Sequence, residues 1–268
     1  MKRRLILIIL LMVFLCGCAK ETIRPEEEVP ETNELEEEKE TETEETEEEP
    51  DPNMIVSPLD GLRYYPEDLS KRPVALSIDN HPKARWQAGI SQAEIVYEVE
   101  VEHPFTRYLC IFYAKEPERI GPVRSARPYL IYYALEYDGI FVHVGGSDDA
   151  FIEIKRLGVA EVDGLYSGAL WRYYDTGKYA PHNVYTTLES IRKEAENYGY
   201  RTDFSFEGYS FNERDEKLSD NYEVNSAVKV NIIYNAYNTT DYLYDEDNNT
   251  YLRFKDEEEH IDELDNKQ

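Results

Sequence analysis

Cysteine is scarce in this chain of 268 residues: there are only three, and two of them, Cys16 and Cys18, lie in an apolar leader. Cys110 is left without a partner in the rest of the chain, which excludes a framework of intrachain disulfides. It sits in the run Tyr108-Leu109-Cys110-Ile111-Phe112-Tyr113, where a thiol reads as a small buried hydrophobe rather than a nucleophile. Positive charge is scarce as well. Lys and Arg number 29 against 56 Asp and Glu, a net charge of −27, which argues against general binding to nucleic acid or anionic lipid through a basic face. No apolar run reaches the ~20 residues that a spanning helix needs. HExxH, GxSxG and Walker-type motifs are missing too. No metal is therefore assigned, the cofactor is left unknown, and whether the protein is an enzyme stays open.

What is present begins with Lys2-Arg3-Arg4 and the apolar run 5–15, the charged and apolar regions of a secretory signal. The run ends in Leu15-Cys16-Gly17-Cys18, which resembles the lipobox of bacterial lipoproteins, with Cys18 as the lipidated first residue of the mature chain. Leu15 is too large to precede a cleavage at Cys16. Residues 18–52 follow as a Glu/Thr/Pro tract with a net charge of −14. Such a tract cannot bury apolar surface and repels itself, so it reads as an extended tether, reaching on the order of 100 Å if fully stretched. With the leader cations and the tether set aside, the remainder carries −16, so a basic site within it must be local. These shifts divide the chain into a signal peptide over 1–17, an acidic tether over 18–55, a main α/β domain over 56–210 and a C-terminal β-rich segment over 211–268. The location they imply is the outer face of the cytoplasmic membrane, with the membrane as partner through the anchor on Cys18.

Along the folded part, 74–78 reads as a buried strand ending in the polar turn Asp79-Asn80-His81-Pro82. The run 94–102 alternates and the run 106–114 is aromatic and aliphatic, and together they read as an antiparallel hairpin. On the first of them Glu94, Glu98, Glu100 and Glu102 share a face that reads as a solvated edge, with Glu98 a candidate partner for Arg107 or Arg124. A helix over 125–137 is expected to start at Ser125 as N-cap, with Pro128 in its first turn. A strand over 140–144 runs into Gly145-Gly146-Ser147, and Ser147 caps a helix that Gly158 closes. Val159 to Val162 reads as a short strand, 164–180 as a loop and 180–186 as a polar turn. Thr186 with Glu189 forms a capping box for a helix over 187–198. A strand over 227–237 and a hairpin of 242–244 with 251–254 close the chain. The class is α+β, a layered mixed sheet with helices and a smaller C-terminal β-rich part.

Four polar turns stand where scaffolds place function, next to regular elements. They supply Asp79, Asn80 and His81; Arg124, Ser125 and Arg127; His143, Gly145, Gly146 and Ser147; and His182 and Asn183. Cations beside the free N–H groups of a helix start suit an anion or carboxylate. If the turns converge, three imidazoles, two or three guanidiniums and the backbone N–H groups of two helix starts could recognise a phosphate, a carboxylate or a sugar acid. Taken singly, each His reads as a hydrogen-bonded structural group. Asp79, His81, His143 and His182 are of zinc-ligand type, but their spacing does not signal zinc.

Five motifs carry a resemblance: Arg72-Pro73-Val74-Ala75, Asp79-Asn80-His81-Pro82, the stretch from Ile120 to Arg127, His143-Val144-Gly145-Gly146-Ser147, and Ala180-Pro181-His182-Asn183-Val184-Tyr185-Thr186. In this order, behind a lipobox, they are similar to the YerB-type lipoproteins of Gram-positive bacteria, a family of unknown function. The resemblance covers most of residues 57–254 and implies the layered α/β arrangement with its β-rich C-terminal part. In that family the chain continues past the last hairpin into further strands, so the C-terminal part here is expected to be truncated. Three functions follow as expectations. The first is binding of an anionic cell-envelope ligand such as a wall-polymer fragment. The second is hydrolysis or transfer on the same polymers with His as general acid/base. The third is a scaffold for another envelope protein, with no nucleic acid partner in any case.

Overall fold

The computed structural model describes residues 51–211, 219 and 222–268. The leader, Cys18 and the tether to residue 50 lie outside the described residues, as does part of the polar stretch 211–225. In chain order the elements are β1 (Ile55–Val56), β2 (Arg63–Tyr64), β3 (Val74–Asp79), β4 (Ile95–Glu100), β5 (Thr106–Phe112), α1 (Pro128–Glu136), β6 (Ile140–His143), α2 (Asp148–Leu157) and β7 (Glu161–Asp163). They continue with β8 (Leu170–Arg172), β9 (Val184–Thr186), α3 (Leu188–Asn197), β10 (Lys229–Asn235), β11 (Asn238–Asp245), β12 (Thr250–Lys255) and β13 (Glu258–Glu259).

The central sheet has the order β4-β5-β3-β6-β7. β3 pairs with β6, and β6 with β7, in parallel, while β5 runs antiparallel to both β4 and β3. Every residue of β3, β5 and β6 is buried, as expected for strands covered on both faces, whose sequences are continuously apolar. Alternation sends Ala75, Leu109, Ile111 and Phe141 to one face, against Leu130, Ile131 and Ala134 of α1 and Ala150 and Ile154 of α2. Val74, Leu76, Cys110, Phe112 and Val142 go to the other face, against Leu188, Ile191 and Ala195 of α3. The result is a helix–sheet–helix sandwich with two apolar cores. Burial pushes the Cys110 thiol well above its ordinary pKa, so it is a core residue and not a nucleophile. The C-terminal strands form a separate antiparallel sheet, β10-β11-β12-β13. Among the described residues no helix is long and apolar enough to cross a membrane.

Several local expectations are corrected. Helix α1 begins at Pro128, with Arg127 and not Ser125 as its N-cap. The residue before a proline is pushed out of the helical region, and Arg127 is accordingly extended at φ −136° and ψ 148°. The α3 N-cap is Thr187, whose hydroxyl accepts from Ser190 N. Thr186 lies in β9, and its hydroxyl donates to the Ala169 carbonyl instead. The expected loop 164–180 contains β8, and the expected turn 180–186 contains β9; the two pair antiparallel. Strands of three residues are too short to show a period of two. By contrast α2 matches its reading: Ser147 accepts from Ala150 N, acidic residues lie in the first turn and basic ones in the last, and Gly158 ends it at φ +63°.

Of the four glutamates expected to form a solvated edge, Glu100 and Glu102 are exposed, but Glu94 and Glu98 are not. Glu94 accepts the backbone N–H groups of Tyr113, Ala114 and Lys115. Glu98 pairs neither with Arg107 nor with Arg124. Its carboxylate, 8% exposed, takes Arg253 at 2.5 Å and Lys255 at 2.6 Å from the C-terminal sheet, and it also accepts from Asn80, Thr106 and Thr240. This buried network fastens the second sheet to the first.

Candidate functional site

The parallel strands β3 and β6 end side by side, and the chain leaves them in opposite directions, β3 toward β4 and β6 toward β7. A crevice outside the carboxyl ends of strands is where open α/β sheets hold ligands. Asp79 is the last residue of β3 and is buried. Its Oδ1 accepts the His81 N–H at 3.0 Å, which closes an Asx turn. Its Oδ2 lies 2.7 Å from His182 Nδ1 and 3.1 Å from Arg124 Nε.

The Asp79 carboxylate places the His182 proton on Nδ1, leaving Nε2 as an unprotonated acceptor in the neutral ring. His81 is arranged the other way. Its Nδ1 accepts from Lys83 N at 3.1 Å, so its proton lies on Nε2. The two imidazoles stack at 4.4 Å and 23°, and His81 also meets Phe105 at 4.5 Å. Burial, and then the neighbouring His182, hold the His81 pKa below its ordinary value against the pull of Asp79. With both rings neutral, one offers a donor and the other a lone pair.

Arg124 reaches this pair from a strut of extended chain, residues 120–126, laced between the ends of three strands. Ile120 and Thr186 exchange both backbone hydrogen bonds, Arg124 N donates to the Ser77 carbonyl, and the Arg124 carbonyl accepts from Val144 N. Gly121 makes this close approach possible, because a Cβ there would lie 2.7 Å from the Tyr185 ring and 2.8 Å from the Val184 carbonyl. Beyond the contact of Nε with Asp79, the Arg124 guanidinium has no ion-pair or hydrogen-bond partner among the described residues.

The four turns therefore come together only in part. Asp79, His81, Arg124 and His182 form one cluster. Arg127 is turned to Glu102. Ser125 contributes its carbonyl, which accepts from Ser77 Oγ and Arg107. Asn80 is consumed by Thr106, Glu98 and Arg85, and Asn183 by Arg172 and the Lys178 carbonyl. His143 is fully buried, fixed between the Gly145 carbonyl and Glu161. Gly145 and Gly146 serve through their backbones: Gly145, at φ +64°, accepts from Ala126 N, and Gly146 bridges to Ala126. Ser147 is committed as the α2 cap. Among the described residues no three His, Cys, Asp or Glu side chains gather as a metal set.

Two contributions escaped the sequence reading. Arg107 faces Asp79 across the β3–β5 register and is almost completely buried. Burial, and then Arg127, bring its pKa down to about 10, so it remains a cation at neutral pH. Its signal was the antiparallel register of 74–79 with 106–112, which a single sequence does not reveal. The second contribution is the C-terminal segment. His260 bonds Gln87, whose amide donates to the Asp79 carbonyl. Glu263 holds Lys178, Arg119 and Tyr185, and so anchors the loop that carries His182. A cavity of about 230 Å³ opens at the seam between the two sheets, lined by Tyr108, Tyr242, Tyr251 and Arg253, with none of Asp79, His81, Arg124 and His182 in its lining.

Residues 59–201, with all four turns, match the family described as "Protein of unknown function (DUF3048) N-terminal domain". The chain belongs to this family. The DUF3048 match spans both helical layers, the central sheet and the whole Asp79–His182–Arg124 cluster. YerB of Bacillus subtilis (strain 168), a lipoprotein by name, is 37% identical over 204 residues, or 75% of this chain and 60% of YerB. Its name accords with the lipobox at Cys18. The crystal structure of YerB from Bacillus subtilis superimposes with a TM-score of 0.69 at 34% identity, covering 80% of this chain and 71% of that one. The chain thus spans about three fifths of the length of the relative it matches.

Proposed function

We propose that this DUF3048 protein is a lipoprotein held by Cys18 at the outer face of a Gram-positive cytoplasmic membrane, and that its Asp79–His182–Arg124 cluster binds an anionic group of a cell-envelope polymer. The layout is a signal peptide over 1–17, a tether over 18–55, the ligand-binding α/β domain over 56–210 and the β-rich segment over 211–268. The observation that carries the reading is Arg124, whose terminal guanidinium nitrogens have no partner among the described residues, beside an excess of local positive charge. Three guanidiniums, on Arg107, Arg124 and Arg127, face two carboxylates, on Asp79 and Glu102. His81 Nε2–H adds a neutral donor. Planar, bidentate recognition of a phosphate or carboxylate suits such an arginine. Calorimetry with wall fragments and polyol phosphates is expected to give binding that Arg124→Ala weakens about tenfold or more. Equal affinity in the variant refutes the site. Cys18→Ser is expected to move the protein from the membrane to the soluble fraction.

The Asp79–His182 dyad favours a second reading. A carboxylate that fixes Nδ1–H leaves Nε2 available as a general base, and Arg124 beside it could stabilise developing negative charge. Turnover of wall polymer that is lost in His182→Ala, with the fold intact, would decide for hydrolysis or transfer.

A further inference from the structure

At the opposite end of the central sheet, near the amino ends of β3 and β6, a cavity of about 180 Å³ is lined by Lys71, Arg72, Arg192 and Arg201, together with Glu196 and Thr202. That volume is room for roughly six waters. Four cations around one cavity are unexpected in a domain as acidic as this one, and their pairing is incomplete. Glu116 is shared by Lys71, at 2.8 Å, and Arg192. Asp138 is shared by Arg72, at 3.1 Å, and Arg201. Two carboxylates thus serve four cations. Glu196 lines the cavity as a third carboxylate but makes no ion pair among the described residues, although it stands one helical turn from Arg192, where an exposed pair would form.

Donors are left over. Lys71 uses one of its three N–H donors, on Glu116. Among the described residues Arg192 Nε and Nη2 are buried without an acceptor, a rare condition that calls for a cause. Arg201 gives Nη1 to the Asp203 carbonyl and Nη2 to the Asp138 carboxylate, which leaves its Nε. Arg72 is engaged at all three nitrogens: it spends Nε on the Asp138 carbonyl, Nη1 on the Arg201 carbonyl and Nη2 on the Asp138 carboxylate. It fixes the wall rather than reaching for a ligand. The arrangement is that of an oxyanion site, with one rigid arginine behind and cations of spare capacity at the rim.

We propose that this cavity binds a phosphate-class oxyanion through Lys71, Arg192 and Arg201, as a site separate from the Asp79–His182–Arg124 cluster. The group is either free phosphate or the phosphate of an envelope polymer. The test is calorimetry on the full chain in detergent, with inorganic phosphate in one arm and poly(glycerol phosphate) in the other. Lys71→Ala, Arg192→Gln and Arg201→Gln are compared with Arg124→Ala. Lys71 is 43% exposed, so its truncation leaves the fold intact even if Arg192→Gln disturbs it.

Saturable binding in either arm that falls about tenfold or more in Lys71→Ala and Arg201→Gln but is unchanged in Arg124→Ala supports the site. The arm that binds then identifies the source. No binding in either arm overturns the proposal. So does binding that is indifferent to Lys71 and Arg201, including binding lost only in Arg124→Ala, which would belong to the first cluster.

Discussion

Glu98→Ala is the perturbation from which most can be learned, because Glu98 joins the two sheets. Its carboxylate is the direct counter-charge of Arg253 and of Lys255, whose side chain is fully buried. Truncation leaves the Lys255 ammonium with only the Asn238 and Thr240 oxygens, and leaves Arg253 over the faces of Tyr108 and Tyr242. Removing one partner of a buried pair costs about 3–5 kcal/mol, because the other charge stays desolvated and unpaired. Against a total stability of about 5–15 kcal/mol this is a large share. At about 2–4 °C per kcal/mol for a domain of this size, it corresponds to a fall in Tm of roughly 6–20 °C. Trp86 lies tilted at 32° and 5.1 Å from His260, so in a Trp171→Phe background its fluorescence follows docking of the C-terminal segment while far-UV circular dichroism follows the whole fold. The Trp86 signal is expected to melt first in the variant. Replacing the three charged members together, as in Glu98→Leu with Arg253→Met and Lys255→Met, is expected to recover part of the loss, since Asn80, Thr106 and Thr240 still lose an acceptor. A Glu98→Ala loss below about 1 kcal/mol, the value of an exposed pair, would refute the reasoning.

Other expectations follow from the same structure. Burial, and then Arg253, bring the His260 pKa from 6.5 down to about 3, so between these values the unfolded chain binds a proton that the native one refuses. This contribution is fully present above pH 6.5 and is lost as pH falls, at about 1.4 kcal/mol per unit; urea melts at pH 6 and pH 5 should show a slope that His260→Gln flattens, and an unchanged slope would count against it. Glu263→Ala frees Lys178 from its counter-charge, so hydrogen exchange at the His182 and Asn183 amides is expected to quicken by about tenfold or more; unaltered exchange would mean the C-terminal segment does not position the dyad. Gly121→Ala forces a methyl against Tyr185 and the Val184 carbonyl and is expected to cost about 1–3 kcal/mol in denaturant melts.

Much of the fold was legible because its signals are local. The apolar run at 74–78, the alternation of 94–102, the aromatic and aliphatic run 106–114, and the Ser147 and Gly158 caps each depend on residues a few positions apart, and each stands in the structure within a residue or two. Failures occurred where local rules compete. Ser125 is a good cap by type, yet Pro128 forces the residue before it out of the helix, and that residue is Arg127. Thr186 and Thr187 are equally good caps, and the pairing of β8 with β9 takes the first of them into a strand. Glu98 lies among glutamates that look alike along the chain, but the second sheet covers it and supplies Arg253 and Lys255 from far along the sequence.

The candidate site divides in the same way. The sequence by itself determined that polar turns follow β3 and β6, that arginines gather between Ile120 and Tyr129, and that an acidic chain makes such a cluster unusual. These are matters of composition and of period, which neighbouring residues encode. Only the tertiary structure decided that His182, and not His143, meets Asp79, that Arg107 lies opposite Asp79, and that Arg127 is spent on Glu102. Those outcomes depend on sheet order and strand register. A shift of one residue in register turns a side chain to the other face, and no pattern within a single stretch of chain specifies which distant partner will fill the place.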